Sequence, residues 1–225
     1  MRSIYFVLIG CALLSLTSCI EILDDITLNN DGSGTIKYAI NLSASKSKIS
    51  AILKLDSLDG RPVPSIEDLE VRIQTIKKRL TSKTGITNVM VESNYDNFIF
   101  KLRFDFASVA ALQSAMKEVV LEESKEQNRQ ALDADWLSWD GTKLTRSIPD
   151  ITIDRTKTLK SEDAELLKQG TYTSITRFER AVDRCENPNA SISKNRLAVM
   201  IKVNPYSLPQ NYDLIENTIY LTPLK

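Results

Sequence analysis

Phe98-Ile99-Phe100-Lys101-Leu102-Arg103-Phe104-Asp105-Phe106 alternates with a period of two. Successive side chains of a strand point to opposite faces. Phe98, Phe100, Leu102, Phe104 and Phe106 therefore share one face, and Ile99, Lys101, Arg103 and Asp105 share the other. Four of the chain's six phenylalanines lie on the first face, and each buries ~150–250 Å² when covered. The pattern predicts a strand at the centre of a sheet, with its aromatic face packed against helices. Lining of a lipid pocket is the second use such a stripe allows.

The flanks supply a partner strand and the helices. Ile86, Val89 and Val91 lead into the turn Asn94-Tyr95-Asp96-Asn97, which makes a hairpin with the phenylalanine strand. Downstream, Ser108 caps a helix to about Lys125, with Leu112, Ala115, Met116, Val119 and Val120 on one side. Upstream, Ser65 with Asp68 three residues on forms a variant capping box. Ile66, Leu69, Ile73, Ile76 and Leu80 then mark one apolar stripe. Lys77-Lys78-Arg79 sit in the last turn of that helix, where cations complement its dipole, and Gly85 closes it.

Nearer the N-terminus, Ile22, Asp24, Ile26 and Leu28 fall on one alternating set, and Ile36, Tyr38, Ile40 and Leu42 on another. Asn29-Asn30-Asp31-Gly32-Ser33-Gly34 joins them as a glycine-rich hairpin turn, which fails the calcium-loop template. Asp24 and Asp25 are adjacent in a strand, so their carboxylates face apart. A short helix is expected from about Lys46 to Leu58, broken by Asp59-Gly60-Arg61-Pro62-Val63-Pro64.

In the C-terminal part, Trp136 to Leu144 reads as strand, Asp-Gly turn and return. A brief helix from Glu162 to Gln169 stops at Gly170, and a strand follows around Tyr172 to Val182. Leu197, Val199, Ile201 and Val203 alternate, and Asn217 to Thr222 forms a last strand. The fold class is α+β: an antiparallel sheet built from hairpins, packed on one face by two or three amphipathic helices. Residues 19–225 are read as one domain, with a candidate subdivision near 127–135.

The first residues set location. Arg2 precedes an apolar run of 13 residues, Ile4 to Leu16, which has the length of a secretory signal core and falls short of the ~20 residues of a membrane-spanning helix. Leu16-Thr17-Ser18-Cys19 resembles the bacterial lipobox. That resemblance implies cleavage between Ser18 and Cys19, with residues 1–18 removed, and a diacylglycerol thioether on the Cys19 sulfur. It also implies outer-membrane sorting, periplasmic face preferred, because Ile20 and not aspartate follows the cysteine. Glu21, Asp24 and Asp25 make only a poor version of a surface-export signal.

Composition narrows the chemistry. Basic and acidic residues balance at 29 each and give no electrostatic reason to bind nucleic acid. The chain has no histidine, which excludes Ser-His-Asp and Cys-His catalysis and imidazole metal sites. Cys11 leaves with the signal and Cys19 is acylated, so Cys185 is left as a bystander thiol. No cofactor, metal or catalytic residue is expected. The leading reading is a non-enzymatic, membrane-anchored envelope lipoprotein that binds a lipid or protein partner or acts as a scaffold. The alternative is a carboxylate-based hydrolase acting on envelope polysaccharide.

The lipobox together with the strand and turn Ile26-Thr27-Leu28-Asn29-Asn30-Asp31-Gly32-Ser33-Gly34-Thr35 resembles uncharacterised Bacteroidetes-type lipoproteins. More distantly, the Asp31-to-Gly34 turn is similar to that of the LppM-like lipoproteins. The resemblance implies an α+β envelope domain that binds lipid or glycolipid and supplies no site residue beyond Cys19. Cys19→Ala is expected to leave an uncleaved precursor without acyl chains, read by metabolic fatty-acid labelling and intact mass. Processing at the same site in that variant would contradict the lipoprotein reading.

Overall fold

The computed structural model describes residues 20–58, 60–124, 135–148, 167–208 and 210–223. Ser18, Cys19 and the signal lie outside these residues, as do most of the expected helix Glu162–Gln169 and nearly all of the candidate subdivision at 127–135.

Among the described residues, two main sheets, a minimal two-stranded one and three α-helices form an α+β fold. The first hairpin pairs β1 (Glu21–Leu28) with β2 (Gly34–Asn41), and the second pairs β5 (Ile86–Asn94) with β6 (Ile99–Phe106). Between them run α1 (Lys46–Ile52), the minimal pair β3 (Ser57–Leu58) and β4 (Arg61–Pro62), and α2 (Ile66–Thr81). α3 (Val109–Ser124) follows β6, then β7 (Leu137–Trp139), β8 (Lys143–Arg146), β9 (Thr171–Phe178), β10 (Val182–Cys185), β11 (Ala190–Ile192), β12 (Ala198–Val203) and β13 (Asn217–Leu221).

The larger sheet has the order β11-β12-β9-β1-β2-β6-β5, and the smaller one β10-β13-β8-β7. Every pair in them is antiparallel except β1 with β9, which run parallel from Glu21↔Thr171 to Leu28↔Phe178. That pair corrects the expectation of a sheet made only of hairpins. It joins strands 150 residues apart, and nothing in either strand's alternation signals its neighbour. It also moves β6 from the expected centre to one strand from the edge, because β9, β12 and β11 add beyond β1.

The inner face of the large sheet is the core. Ile26, Leu28, Ile36, Phe104, Phe106, Phe178 and Val199 are almost fully buried on it. Over them lie Leu137, Leu144, Ile219 and Leu221 from the small sheet and Leu112, Ala115 and Val119 from α3. The helices thus lie over the β5–β6 side and the small sheet over the middle strands, while Ile215 and Leu208 pack against Tyr172 and Ile201.

Other local expectations are refined. Phe98 is buried but takes a left-handed φ of 52° in the turn before β6, so the regular aromatic face begins at Phe100. The expected strand Tyr172–Val182 splits at Glu179–Ala181 into β9 and β10, which enter different sheets. α1 ends at Ile52, short of Leu58. The Ser65–Asp68 capping box is present in full, and the Ser108 hydroxyl accepts from the Ala111 N–H at 3.1 Å.

The glycine turn has a steric cause. Gly32 takes φ 83° and lies under the Trp139 ring, while the Asp31 carboxylate accepts from the Ser33 N–H and hydroxyl at 2.9 and 2.7 Å. A Cβ on Gly34 would sit 2.0 Å from the Thr27 carbonyl oxygen and 2.6 Å from Phe106 Cζ. Only glycine lets the Phe106 ring close over this hairpin. Gly34→Ala is expected to lower stability by about 1–3 kcal/mol, seen as a lower urea midpoint at unchanged slope. An unshifted midpoint would show that the ring does not need that space.

Candidate functional site

Two features meet on the inner face of the large sheet: a buried polar cluster and, beside it, an apolar cleft. The cluster begins with Asp24, which occupies an inward position of β1 in line with Ile26 and Leu28 and is only 1% exposed. A buried carboxylate needs a cation and hydrogen bonds. Arg146, the last residue of β8, supplies both: its Nη2 donates to Asp24 Oδ2, and its Nη1 donates to the Ser174 hydroxyl at 2.9 Å. The Tyr172 hydroxyl donates to the same Asp24 oxygen at 2.9 Å and accepts from Arg146 at 3.0 Å. Side chains from β1, β8 and β9 are thereby tied across the two sheets.

The cluster holds its protons tightly. Burial pushes the Tyr172 phenol up to about 12, with Asp24 adding and Arg146 opposing. Burial, followed by the Asp24 charge, places the Tyr38 phenol well above its ordinary value. Burial opposes the Arg146 charge, and the Asp24 carboxylate together with the Tyr172 and Tyr38 phenols more than offsets it. Two buried atoms of the cluster, Asp24 Oδ1 and Arg146 Nε, have no hydrogen-bond partner among the described residues.

Asp25 points to the opposite face, as the alternation requires. There Arg177 grips it with Nε at 3.0 Å from Oδ1 and Nη2 at 3.2 Å from Oδ2. The two acids do not converge on one site, and each already holds an arginine.

The cleft lies beside the cluster, where β2, β6 and β5 run out from under the small sheet. Tyr38 and Ile40 of β2, Phe100 and Leu102 of β6, and Val91 and Ser93 of β5 form its floor, and Ile73 and Ile76 of α2 form one wall. Its volume is about 240 Å³. It exists because the apolar stripe of α2 is only partly used: Leu80 is 1% exposed, whereas Ile66, Leu69, Ile73 and Ile76 stay half-buried. Ile40 is 42% exposed at the mouth, and the Tyr95 and Phe100 rings meet edge-on at 5.6 Å. The aromatic stripe thus has two uses, core at Phe104 and Phe106 and cleft lining at Phe100.

The remaining sequence candidates have ordinary surroundings. Arg79 pairs with Glu122 of α3 at 3.2 Å, and Lys83 bridges Glu118 and Glu122. Cys185 is half-buried against the core, and burial raises its thiol pKa. Among the described residues, no three His, Cys, Asp or Glu side chains form a group able to hold a metal. No described helix is long and apolar enough to cross a membrane. The Asp24–Arg146 contact escaped sequence reading, although an acid standing in line with Ile22, Ile26 and Leu28 announces a buried charge that needs a partner.

These features define an α+β domain of two stacked sheets with a side cleft and no assembled catalytic group among the described residues. No family model matches the chain, and no curated protein matches it in sequence. Among solved structures it is similar to the folded domain of the LppM protein of Mycobacterium tuberculosis, determined by NMR. The TM-score is 0.42 at 12% identity, over 91% of this chain and 92% of that one. At so weak a likeness, the functional reading rests on this chain's own residues.

Removing one partner of a buried ion pair leaves an uncompensated charge, which typically costs ~3–5 kcal/mol. Arg146→Met is expected to lose stability on that scale, and Asp24→Leu combined with Arg146→Met to recover most of it. Chemical denaturation of the single and double variants reads this. A double variant no more stable than Arg146→Met would contradict the pairing.

Proposed function

We propose that this chain is a lipid-anchored protein of the bacterial envelope, held by Cys19, whose α+β domain takes an apolar chain into the cleft between α2 and the β2–β6–β5 floor. It acts by binding and performs no catalysis. The observation that carries the reading is the cleft itself. A helix whose stripe stays half-open opposite Phe100 and Leu102 leaves apolar surface uncovered, and burying it gains ~25 cal/mol per Å². The lining is mostly hydrocarbon and aromatic carbon; its polar members are Tyr38, Ser93 and Lys101, and the Lys101 ammonium is paired with Glu92 at 3.0 Å. An acyl chain is the envelope molecule that matches this.

The 13-residue signal core and the Leu16-to-Cys19 sequence support the anchor. The strand β1 begins at Glu21, two residues after Cys19, so an anchor there holds the domain against the bilayer surface, beside a source of lipid. The outer membrane with the domain in the periplasm is the proposed address. The carboxylate-hydrolase alternative finds little support: the buried acids Asp24 and Asp25 face apart, and each is neutralised by an arginine.

The test is to purify the full chain from a bacterial envelope and to strip detergent in native mass spectrometry, alongside Ile76→Trp, which fills the cleft with an indole. The wild type is expected to carry near-stoichiometric extractable lipid in addition to its covalent acyl groups. Ile76→Trp is expected to lose most of it while remaining folded. Equal lipid on both proteins, or none on either, would overturn the reading.

A further inference from the structure

The end of the large sheet where the chain leaves for Cys19 also carries a basic helix that the fold scarcely uses. Glu21 opens β1 two residues after Cys19 and is the register partner of Asn41, the last residue of β2. The Asn41 amide donates to the Glu21 carboxylate at 3.0 Å, and its side-chain oxygen accepts from the Ser43 N–H at 3.0 Å. Two residues reach at most ~7 Å, so an acyl group on Cys19 is tethered beside the 3₁₀ turn Ser43–Ser45 and α1, which follow Asn41 directly. α2 and α3 seat Leu80, Leu112, Ala115 and Val119 in the core, whereas no residue of α1 is fully buried. The helical period places Ile49, Ile52 and Leu53, all half-buried, on one face with Lys46 and Lys48 at its two edges. Leu55, just beyond, is 47% exposed. From Ser43 to Leu55 the chain has three lysines, Lys46, Lys48 and Lys54, all exposed, and no acid. Lys46 Nζ meets the neutral Asn97 Oδ1 at 3.5 Å. Glu21 and Asp56 flank the segment, and Asp96 lies beside Asn97 in the adjoining turn.

We infer that α1 and the segment to Leu55 dock on the anionic phospholipid headgroups of the bilayer that holds the anchor, with Lys46, Lys48 and Lys54 among the phosphates and Leu55 at the acyl boundary. This rests on the Cys19 anchor proposed above and adds a second contact, which fixes how the domain stands on the membrane. A seven-residue helix with three lysines is a weak binder when free in solution, because one short amphipathic element buries little apolar surface. Beside a lipid anchor the same contact becomes intramolecular, so a modest attraction suffices to keep it made. Lysine stems lie along apolar surface while their ammonium groups reach phosphate, which suits lysines placed at the edges of the Ile49–Ile52–Leu53 face. Docking also sets the direction of the cleft. The Leu42 N–H donates to the Phe98 carbonyl at 3.0 Å, and Ile40 and Phe100, two residues from them, are cleft-lining residues at this end of the sheet. With α1 on the headgroups, the exposed Ile40 faces the bilayer, and an apolar chain passes from membrane to cleft without crossing bulk water.

Paramagnetic broadening of isoleucine δ1 methyls tests the inference, with the full acylated chain on nanodiscs that carry a gadolinium chelate on some headgroups. The discs are of phosphatidylglycerol or of phosphatidylcholine, and the proteins are the wild type and the combined variant Lys46→Gln, Lys48→Gln and Lys54→Gln. Ile86, buried at the far end of β5, is the internal reference, and a strand of that length keeps it ~27 Å from the β5–β6 turn. On phosphatidylglycerol, Ile49 and Ile52 of the wild type are expected to broaden strongly relative to Ile86. The contrast should fall on phosphatidylcholine and at ~1 M salt, where the screening length is ~3 Å. Each lysine near an anionic surface favours docking about fivefold, so the combined variant should lose about a hundredfold in the docked-to-undocked ratio, with the Ile86 methyl shift unchanged. If the acylated wild type stays on the disc but Ile49 and Ile52 broaden no more than Ile86, docking is overturned and the anchor stands. Broadening that ignores both lipid charge and the lysines also overturns it. So do α1 methyl shifts that follow protein concentration instead of anionic lipid, which would assign the face to a second copy of the chain. A chain that carries no acyl group on Cys19 and leaves the disc removes the anchor, and both readings fall.

Discussion

A carboxylate in the interior has to be answered, and the Asp24–Arg146 pair answers it in a way that positions much of the molecule. Asp24 stands on the inner face of β1, the middle strand of the large sheet. Its arginine comes from the end of β8, so the ion pair anchors the small sheet over β1 and β9. A buried pair of this kind contributes little net stability compared with well-packed apolar residues, because desolvation consumes most of the attraction. Its effect is on arrangement, since sliding the small sheet would leave both charges bare. Leu137, Leu144, Ile219 and Leu221 then meet Ile26, Leu28 and Phe104 in one register, and Gln113 of α3 accepts from the Leu137 N–H at 3.1 Å.

The cleft is what this arrangement leaves uncovered. The small sheet ends at β7, α3 packs at the Phe106 end of β6, and α2 sits over β5. The other end of the inner face, from Tyr38 to Ile40 and from Phe100 to Leu102, has only α2 beside it. A monomeric domain generally closes such a gap with side chains, because voids forfeit dispersion contacts. Here residues able to close it, Ile73 and Ile76, are held half-buried along its side. Tyr38, the register partner of Asp24, lines the cleft, so the ion pair that places the small sheet lies one strand away from the candidate site.

Much of the local structure was legible in the sequence, because alternation and capping are local signals. The strands around Ile26, Ile36, Phe104 and Val199, the helix from Ser65 and the helix after Ser108 all follow from periodicity that the structure preserves. The long-range pairings were not. The parallel register of β1 with β9 joins residues 150 apart, the division of Tyr172–Val182 turns on a bend without a sharp local mark, and β13 joins β10 and β8 across 34 to 77 residues, whereas the β7–β8 hairpin was expected. Phe98 shows the limit of alternation, since it extends the apolar pattern yet lies in the turn at positive φ. At the site, the aromatic stripe with its second use as a pocket lining pointed to the cleft floor, whereas Asp24 was read only as facing away from Asp25 and its place in an apolar set went unused. Arg146 carried no signal of its own, sitting in a short strand with an ordinary sequence.

The most direct measurement is an isotope-edited NMR experiment on the full chain in nanodiscs of perdeuterated lipid, with isoleucine δ1 methyls labelled and a protonated decyl-chain alcohol added. The account expects intermolecular NOEs from the chain to Ile40, Ile73 and Ile76, and none to Ile175 on the outer face of the large sheet. NOEs to Ile175 without those to Ile73 and Ile76, or none to any isoleucine of the cleft, would contradict it.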